Sequence, residues 1–180
     1  STTSNLAAAS LGSETSGSIL SPSSANSLVG MKPTIGNVSR AGIVPISSTL
    51  DTAGPMTKFV IDNILIYNAI NDFDPLDDYS VENYDIRLEE VVESKLEEYT
   101  IGYYKSFYER DSLYKNAIDF LTENGVELQV IDAPQIRLEG FAKILDEDMR
   151  YDLRSYLFFY GSKNLKVEDI SSIIKHNEMD

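Results

Sequence analysis

A short segment of small residues, residues 12–19, constrains the fold of this chain more than any other feature. It reads Gly-Ser-Glu-Thr-Ser-Gly-Ser-Ile and combines hydroxyl side chains with two glycines, Gly12 and Gly17. Glycine allows positive φ angles and close backbone approach, which other residues resist. The segment therefore predicts a tight turn that displays a serine oxygen among free backbone amides.

The alternative is a solvated linker, because Ser and Thr are abundant in residues 1–27. Apolar residues are nevertheless spread among the hydroxyls, including Leu11, Ile19 and Leu28. Such side chains can be buried, and a linker would not need them. We therefore expect an ordered, buried loop.

Composition limits the class of protein. With 180 residues and 42% hydrophobic content, the chain can form one domain or a large part of one. No apolar run approaches the ~20 residues that cross a bilayer, so we expect a soluble protein without a membrane partner. The chain has no cysteine, which excludes disulfides and fits a cytoplasmic location.

The charge is strongly acidic and unevenly distributed. The formal net charge is −14, while residues 1–60 hold three basic and two acidic side chains, so the acidic excess lies in residues 61–180. An acidic surface repels phosphate backbones, and we therefore expect no nucleic-acid partner.

Hydrophobic periodicity predicts an α/β layer, because a strand–helix–strand order with a crossover connection occurs in the second half. Residues 30–56 and 71–84 are expected to be irregular, the latter as a surface loop. Ser21 is a candidate N-cap for a helix that starts near Pro22. The predicted strands are residues 6–12, 100–104 and 126–131, and the predicted helices are residues 56–70, 111–124, 141–160 and 167–177.

Two residues could serve as a base for a serine nucleophile. His176 is the only histidine, but it is far from the loop in sequence and the loop lacks a GxSxG motif, so a surface role is favoured. Lys32 is the only lysine close to the loop, and a lysine can replace histidine as the base. We favour a packing role for the stem of Lys32.

Acidic and aromatic clusters do not predict a metal or cofactor site. Asp74, Asp77 and Asp78 lack the glycine and final glutamate of a calcium loop. The remaining acidic clusters are typical of solvated helix faces, and the aromatic cluster is typical of a core. These are Glu89-Glu90, Glu97-Glu98, Asp146-Glu147-Asp148, and Tyr103, Tyr104, Phe107 and Tyr108.

Residues 5–66 closely resemble the amidase signature family, and most resemble its stand-alone, peptide-amidase-like members. Weaker similarity continues at residues 152–157 and 170–177. The motifs that carry the resemblance are residues 12–19, Gly30-Met31-Lys32-Pro33-Thr34, Gly36, Val38-Ser39-Arg40, Gly42 and Leu50-Asp51-Thr52-Ala53-Gly54-Pro55-Met56.

The resemblance implies an α/β fold with a mixed central sheet covered by helices on both faces. Residues 1–180 would then be part of a single amidase domain. Within it, residues 1–70 would be the signature core with the nucleophile loop, residues 71–99 an acidic surface segment, and residues 100–180 a strand–helix–strand unit with C-terminal helices.

The resemblance also implies hydrolysis of linear small-molecule or peptide amides without a cofactor. The family uses a lysine, a second serine preceded by a cis peptide bond, and a nucleophilic serine. By motif position Ser18 is the nucleophile, and the backbone N–H groups of Thr15, Ser16, Gly17 and Ser18 form the oxyanion hole. Each such donor typically lowers a barrier by about 2.7–4 kcal/mol.

The chain departs from the family pattern in ways that affect function. Ser16 stands where most members have Gly, and Leu20 replaces an arginine that is frequent in tRNA-dependent amidotransferase subunits. The family places its lysine and second serine farther upstream than the 17 residues that precede Ser18. We therefore expect an internal fragment that is inactive alone, with the missing flanking parts of the enzyme as its partners.

Two alternatives remain open at this point. The first is a non-catalytic or amidotransferase-type subunit that shares the fold. The second is a Ser/Thr-rich binding module, which would have a mobile N-terminal loop and no ordered turn at residues 14–18.

Overall fold

The computed structural model describes residues 1–132, 137–162, 164 and 167–178. They belong to two compact units, one of Ser1–Ile86 with Glu139–Asp180 and one of Arg87–Leu138. The helices and strands, in chain order, are β1 (Ser10–Glu14), α1 (Leu20–Ala25), β2 (Val29–Gly30), β3 (Thr52–Thr57), α2 (Val60–Asn68), α3 (Leu88–Glu93), a 3₁₀ turn (Leu96–Glu98), β4 (Thr100–Tyr104), α4 (Lys105–Tyr108), α5 (Ser112–Glu123), β5 (Glu127–Ile131), α6 (Phe141–Tyr160) and α7 (Ile170–Asn177).

The first unit contains a three-stranded antiparallel sheet in the order β1-β3-β2. The central strand β3 is buried along nearly its whole length. In its register with β1, Gly54 lies opposite Gly12 and Pro55 lies opposite Leu11. Pro55 has no N–H to donate, and its carbonyl accepts from the amide of Met31 at 3.0 Å.

The core of this unit lies between the sheet and α2. Its most buried apolar side chains include Ile19, Val38, Ala53 and Ile64, with Ile19 fully buried. Tyr67 on α2 is also buried, and its hydroxyl accepts hydrogen bonds from two asparagine side chains, those of Asn37 (3.1 Å) and Asn83 (2.7 Å).

Arg40 ties the irregular segments of the first unit together. Its guanidinium forms a bidentate contact with Asp77, and one N–H donates to the carbonyl of Ser48 at 2.5 Å. Residues 71–84 hold no helix or strand, as predicted, yet Asp77 is nearly buried beneath Arg40. This segment is therefore attached to the core by charge as well as by packing.

The second unit confirms the predicted strand–helix–strand order. Strands β4 and β5 pair in parallel, with Thr100 opposite Glu127 and Tyr104 opposite Ile131, and α5 lies between them in sequence. Asp111 caps α5, because its carboxylate accepts from the amides of Leu113 and Tyr114.

Several predicted boundaries were wrong, and the largest error concerns residues 52–57. These form β3, whereas the sequence predicted irregular structure and an early start of the following helix, which begins at Val60. Ser21 lies inside α1 and does not cap it, since α1 begins at Leu20. The first strand begins at Ser10, and α7 begins at Ile170 after a capping box formed by Asp169.

Other predictions were confirmed. Helix α6 spans Phe141–Tyr160, as its apolar spacing indicates, and α5 ends just before Gly125, which has a φ of 79°. Across the part of the chain that the structure describes, no helix is both long enough and apolar enough to span a bilayer.

Candidate active site

The serine loop, residues 15–19, connects the end of β1 to the start of α1. Gly17 has a φ of 99°, a backbone conformation that favours glycine, and this lets the chain turn sharply after Glu14. Ser18 is exposed, whereas Ile19 next to it is fully buried. The turn is ordered, and it presents a serine hydroxyl immediately before a helix.

Glu14 holds the C-terminal end of the serine loop. Its side chain is only 3% exposed, and one carboxylate oxygen accepts from the amides of Ile19 (2.8 Å) and Leu20 (2.9 Å). Amides at a helix start lack partners within the helix, so a carboxylate there satisfies them. Burial raises the pKa of Glu14, but the amides of Leu20, Ile19 and Gly17 and the charge of Lys32 outweigh it and hold the pKa below its usual value.

Asp51 holds the N-terminal end of the serine loop. The hydroxyl of Thr15 donates to one oxygen of Asp51 at 2.5 Å. The other oxygen accepts from the amides of Ile46 (2.8 Å) and Ser47 (2.9 Å). Asp51 is 8% exposed and lies directly before β3, so the serine loop is tied to the central strand.

Lys32 holds the backbone of the loop. Its ammonium donates to the carbonyl of Thr15 at 3.1 Å and lies 3.6 Å from a carboxylate oxygen of Glu14. The sequence favours a packing role for the stem of Lys32. The structure adds a polar role at the head group.

The residues predicted for the oxyanion hole lie together in this loop. Ser16 and Ser18 are exposed, and their backbone amides have no acceptor within the described part of the chain. The Gly17 amide differs, because it contributes to the lowered pKa of Glu14. The arrangement leaves the amides of Ser16 and Ser18 without an acceptor among the described residues.

Among the described residues of the first unit lie a cavity of about 580 Å³ and another of about 470 Å³. Ser13, which precedes Glu14 in β1, lines both of them. The larger also has Arg40, Asp51 and aromatic residues of α6 in its wall, and the smaller is mainly apolar. Ser18 lines neither cavity.

The other sequence candidates lie outside the serine loop. His176 is exposed on α7. Asp74 accepts from the Ser39 hydroxyl at 2.6 Å, and Asp77 pairs with Arg40, so both carboxylates already have protein partners.

The prediction that Asp146-Glu147-Asp148 forms a solvated face was wrong for Asp148. Its carboxylate accepts from the hydroxyl of Ser47 at 2.5 Å, and this contact, together with Thr49, holds its pKa below the usual value despite some burial. The neighbouring Asp152 accepts from the amide of Ser48 at 2.6 Å. Both carboxylates attach α6 to the segment that precedes Asp51.

Glu14 and Asp51 are the site residues that sequence reasoning missed as supports of the loop. For Glu14, a signal was present, because an acidic residue shortly before a helix start commonly binds the free amides there. The contact between Thr15 and Asp51 joins residues 36 positions apart, and no local pattern indicates it.

The fold and the site thus define an α/β protein in which buried carboxylates hold a serine loop. An Amidase family model matches residues 2–175, and the chain belongs to this family. The resemblance expected from the signature motifs is therefore confirmed.

Curated relatives fall into two groups. A probable amidase of Arabidopsis thaliana is 55% identical over 78 residues, which are 43% of this chain and 15% of that protein. A glutamyl-tRNA(Gln) amidotransferase subunit of Neisseria meningitidis is 37% identical over 139 residues, 74% of this chain and 29% of that protein. The chain therefore spans less than a third of the length of these relatives.

Solved structures confirm the predicted fold class. The peptide amidase from Stenotrophomonas maltophilia has a TM-score of 0.83 at 26% identity and covers 99% of this chain, which corresponds to 38% of that protein. The corresponding glutamyl-tRNA(Gln) amidotransferase subunit of Thermotoga maritima has a TM-score of 0.69 at 25% identity, with 98% and 38% of the two chains covered.

Proposed function

We propose that the protein hydrolyses carboxamides with Ser18 as the nucleophile. The observation that carries the proposal is that Ser18 is exposed in a loop whose two ends are held by Glu14 and Asp51. A nucleophile on a backbone segment that is held in one position needs less reorganisation to reach the substrate carbonyl. Membership in the amidase family supports amides as the substrate class.

In the proposed reaction, the Ser18 oxygen bonds to the carbonyl carbon while its proton passes to a base. The carbonyl oxygen becomes an oxyanion, which accepts from backbone N–H groups of the serine loop, with the amides of Ser16 and Ser18 as the donors that have no acceptor among the described residues. The C–N bond then breaks, and ammonia or an amine leaves with a proton returned by the base. Water hydrolyses the resulting ester and frees Ser18.

The base in this proposal is a lysine that acts through a second serine, as the family resemblance implies. Residues 1–17 contain no lysine, and Lys32 donates to Thr15 and faces Glu14. We therefore expect these 180 residues expressed alone to be inactive. Ammonia release from a panel of amides measures this, and clear turnover by the isolated polypeptide would contradict it.

The test of Ser18 uses the longest natural polypeptide that contains residues 1–180. Ser18→Ala should abolish amide hydrolysis, because the acyl-enzyme can no longer form. Ser24→Ala is the matched control, since Ser24 is an exposed serine on the adjacent helix α1. Wild-type rates in Ser18→Ala would reject Ser18 as the nucleophile.

The second candidate is a role as a non-catalytic or amidotransferase-type subunit. It is favoured by the 37% identity to the Neisseria amidotransferase protein over 74% of the chain. The higher TM-score to peptide amidase and the presence of Leu20 support the stand-alone branch instead. Stable co-purification with other subunits, together with no amide turnover without them, would select the second candidate.

Two broader expectations stay with the proposal. We place the whole chain in one amidase domain, with residues 1–70 as its signature core. We also place the protein in the cytoplasm, since a chain without cysteine suits a reducing compartment.

A further inference from the structure

The carbonyl that Lys32 binds belongs to the peptide unit between Thr15 and Ser16. The amide of that same unit is the N–H of Ser16, one of the proposed oxyanion donors. Lys32 therefore binds the carbonyl of a peptide unit whose N–H would face the substrate. This contact has a geometric consequence for the reaction.

A trans peptide is planar, and its C=O and N–H point in opposite directions. All peptide bonds in the described residues are trans. When the ammonium of Lys32 holds the Thr15 carbonyl on one side, the Ser16 N–H must point to the other side. That N–H has no acceptor within the described residues, so it is free to receive an oxyanion.

We propose that Lys32 is a positioning residue that orients the Ser16 amide for oxyanion binding. The inference rests on the proposed function of Ser18 and goes beyond it. It assigns to Lys32 neither proton transfer nor contact with the substrate. The role is to stop rotation of one peptide unit.

Neighbouring contacts make this restraint effective. The Thr15 side chain is held by Asp51, so the peptide unit is fixed at its side chain as well as at its carbonyl. Lys32 is in turn held by the charge of Glu14, whose carboxylate is almost fully buried. The same carboxylate binds the amides of Ile19 and Leu20, so Lys32 and the start of α1 share one support.

Strand β3 sets the position of Lys32. The segment around Lys32 runs close to Gly54, where an added Cβ would lie 2.1 Å from the Met31 carbonyl oxygen and 2.8 Å from the Pro33 ring. The Met31 amide also donates to Pro55 at 3.0 Å. The backbone on both sides of Lys32 is therefore anchored, and only its side chain must be ordered to reach Thr15.

The test compares Lys32→Met, Lys32→Arg and Lys58→Met in the longest natural polypeptide that contains residues 1–180. Lys32→Met keeps the length of the stem and removes the donor. Lys58→Met removes an equal charge from a lysine that instead binds the Asn5 side chain. Steady-state kinetics are measured on one amide over a range of pH, with thermal unfolding recorded for each variant.

Removal of one oxyanion donor typically lowers kcat by about 10²–10³. Because Lys32→Met only frees the Ser16 N–H to rotate, we expect a smaller loss in kcat, of roughly 10- to 100-fold, with KM within about twofold of wild type. The pH–rate profile should keep its shape, Lys32→Arg should recover part of kcat, and Lys58→Met should match wild type.

Three outcomes would overturn the inference. They are an unchanged kcat in Lys32→Met, a loss that appears mainly in KM, and a pH–rate profile that loses a limb, which would mark Lys32 as a base. If Lys32→Met does not fold, Lys32→Arg tests the inference in the same way, because its loss should also appear in kcat and not in KM. Normal activity in Ser18→Ala would instead reject the proposed function, so the two failures are distinguishable.

Discussion

The two units of the molecule rely on different kinds of polar contact. In the unit that holds the serine loop, the ion pairs Lys32–Glu14 and Arg40–Asp77 join residues far apart in sequence, and the carboxylate of each pair is buried. In the unit of Arg87–Leu138, the ion pairs Lys105–Glu109 and Lys115–Asp119 join residues one helical turn apart and are exposed. A buried ion pair between distant segments holds a loop in one geometry, whereas an exposed pair within one helix adds little to the free energy of unfolding.

The largest expected effect on stability is the loss of the Arg40 partner. The side chains of Arg40 and Asp77 are 11% and 6% exposed, so Asp77→Asn leaves a buried charge unpaired. Breaking such a pair typically costs about 3–5 kcal/mol. Hydrogen exchange measured by mass spectrometry should therefore show faster exchange in β3 peptides.

Asp119→Asn is the matched variant in the other unit. It removes one partner of an exposed pair, and we expect exchange in α5 to stay close to wild type. Equal effects of Asp77→Asn and Asp119→Asn would remove the contrast between the two units.

A second comparison uses two glycines with different roles. Gly54→Ala places a methyl group 2.1 Å from a backbone oxygen, and such overpacking typically costs about 1–3 kcal/mol. Gly125→Ala meets no atom within 4 Å, but its φ of 79° costs an alanine about 1–2 kcal/mol. The variants should differ more clearly in activity, because only Gly54 lies beside the segment that carries Lys32.

Unfolding midpoints and amide turnover of both variants check this prediction. Loss of activity in Gly125→Ala comparable to that in Gly54→Ala would show that general stability, and not the position of Lys32, controls the site.

The last expected effect concerns pH and appears only in acid. Burial raises the pKa of Asp77, but hydrogen bonds from Arg40 and the amides of Tyr79 and Arg40 lower it to about 2, from 3.8 in the unfolded chain. A depressed carboxyl pKa adds stability above the unfolded value, which is lost as pH falls from about 4 to about 2. The loss amounts to about 2 kcal/mol.

Urea unfolding at several pH values measures this contribution. The difference in unfolding free energy between wild type and Asp77→Asn should shrink as pH falls from 5 to 2. A difference that stays constant over this range would contradict the assignment of the acid-sensitive stability to Asp77.

The same contrast explains what the sequence could predict. Helix α6 and the β4–α5–β5 order follow from local periodicity, because each repeats its apolar positions within a few residues. Strand β3 was missed because Gly54-Pro55 is typical of a turn, and only its partner strands make it a strand.

For the site, the family resemblance placed Ser18 and the proposed oxyanion amides on one loop. The supports of that loop could not be predicted, since Asp51 and Lys32 reach it across 36 and 17 positions of sequence. Their roles depend on how β3 brings distant segments together, and this is a property of the sheet. Local patterns therefore describe helices well and describe this site only in part.

The most direct test of Ser18 is covalent labelling with a serine-directed fluorophosphonate, followed by peptide mass spectrometry. It is performed on the longest natural polypeptide that contains residues 1–180. We predict a single phosphonyl adduct on Ser18, absent in Ser18→Ala and retained in Ser24→Ala. Amide turnover with the adduct on another serine, or with no adduct at all, would contradict the account.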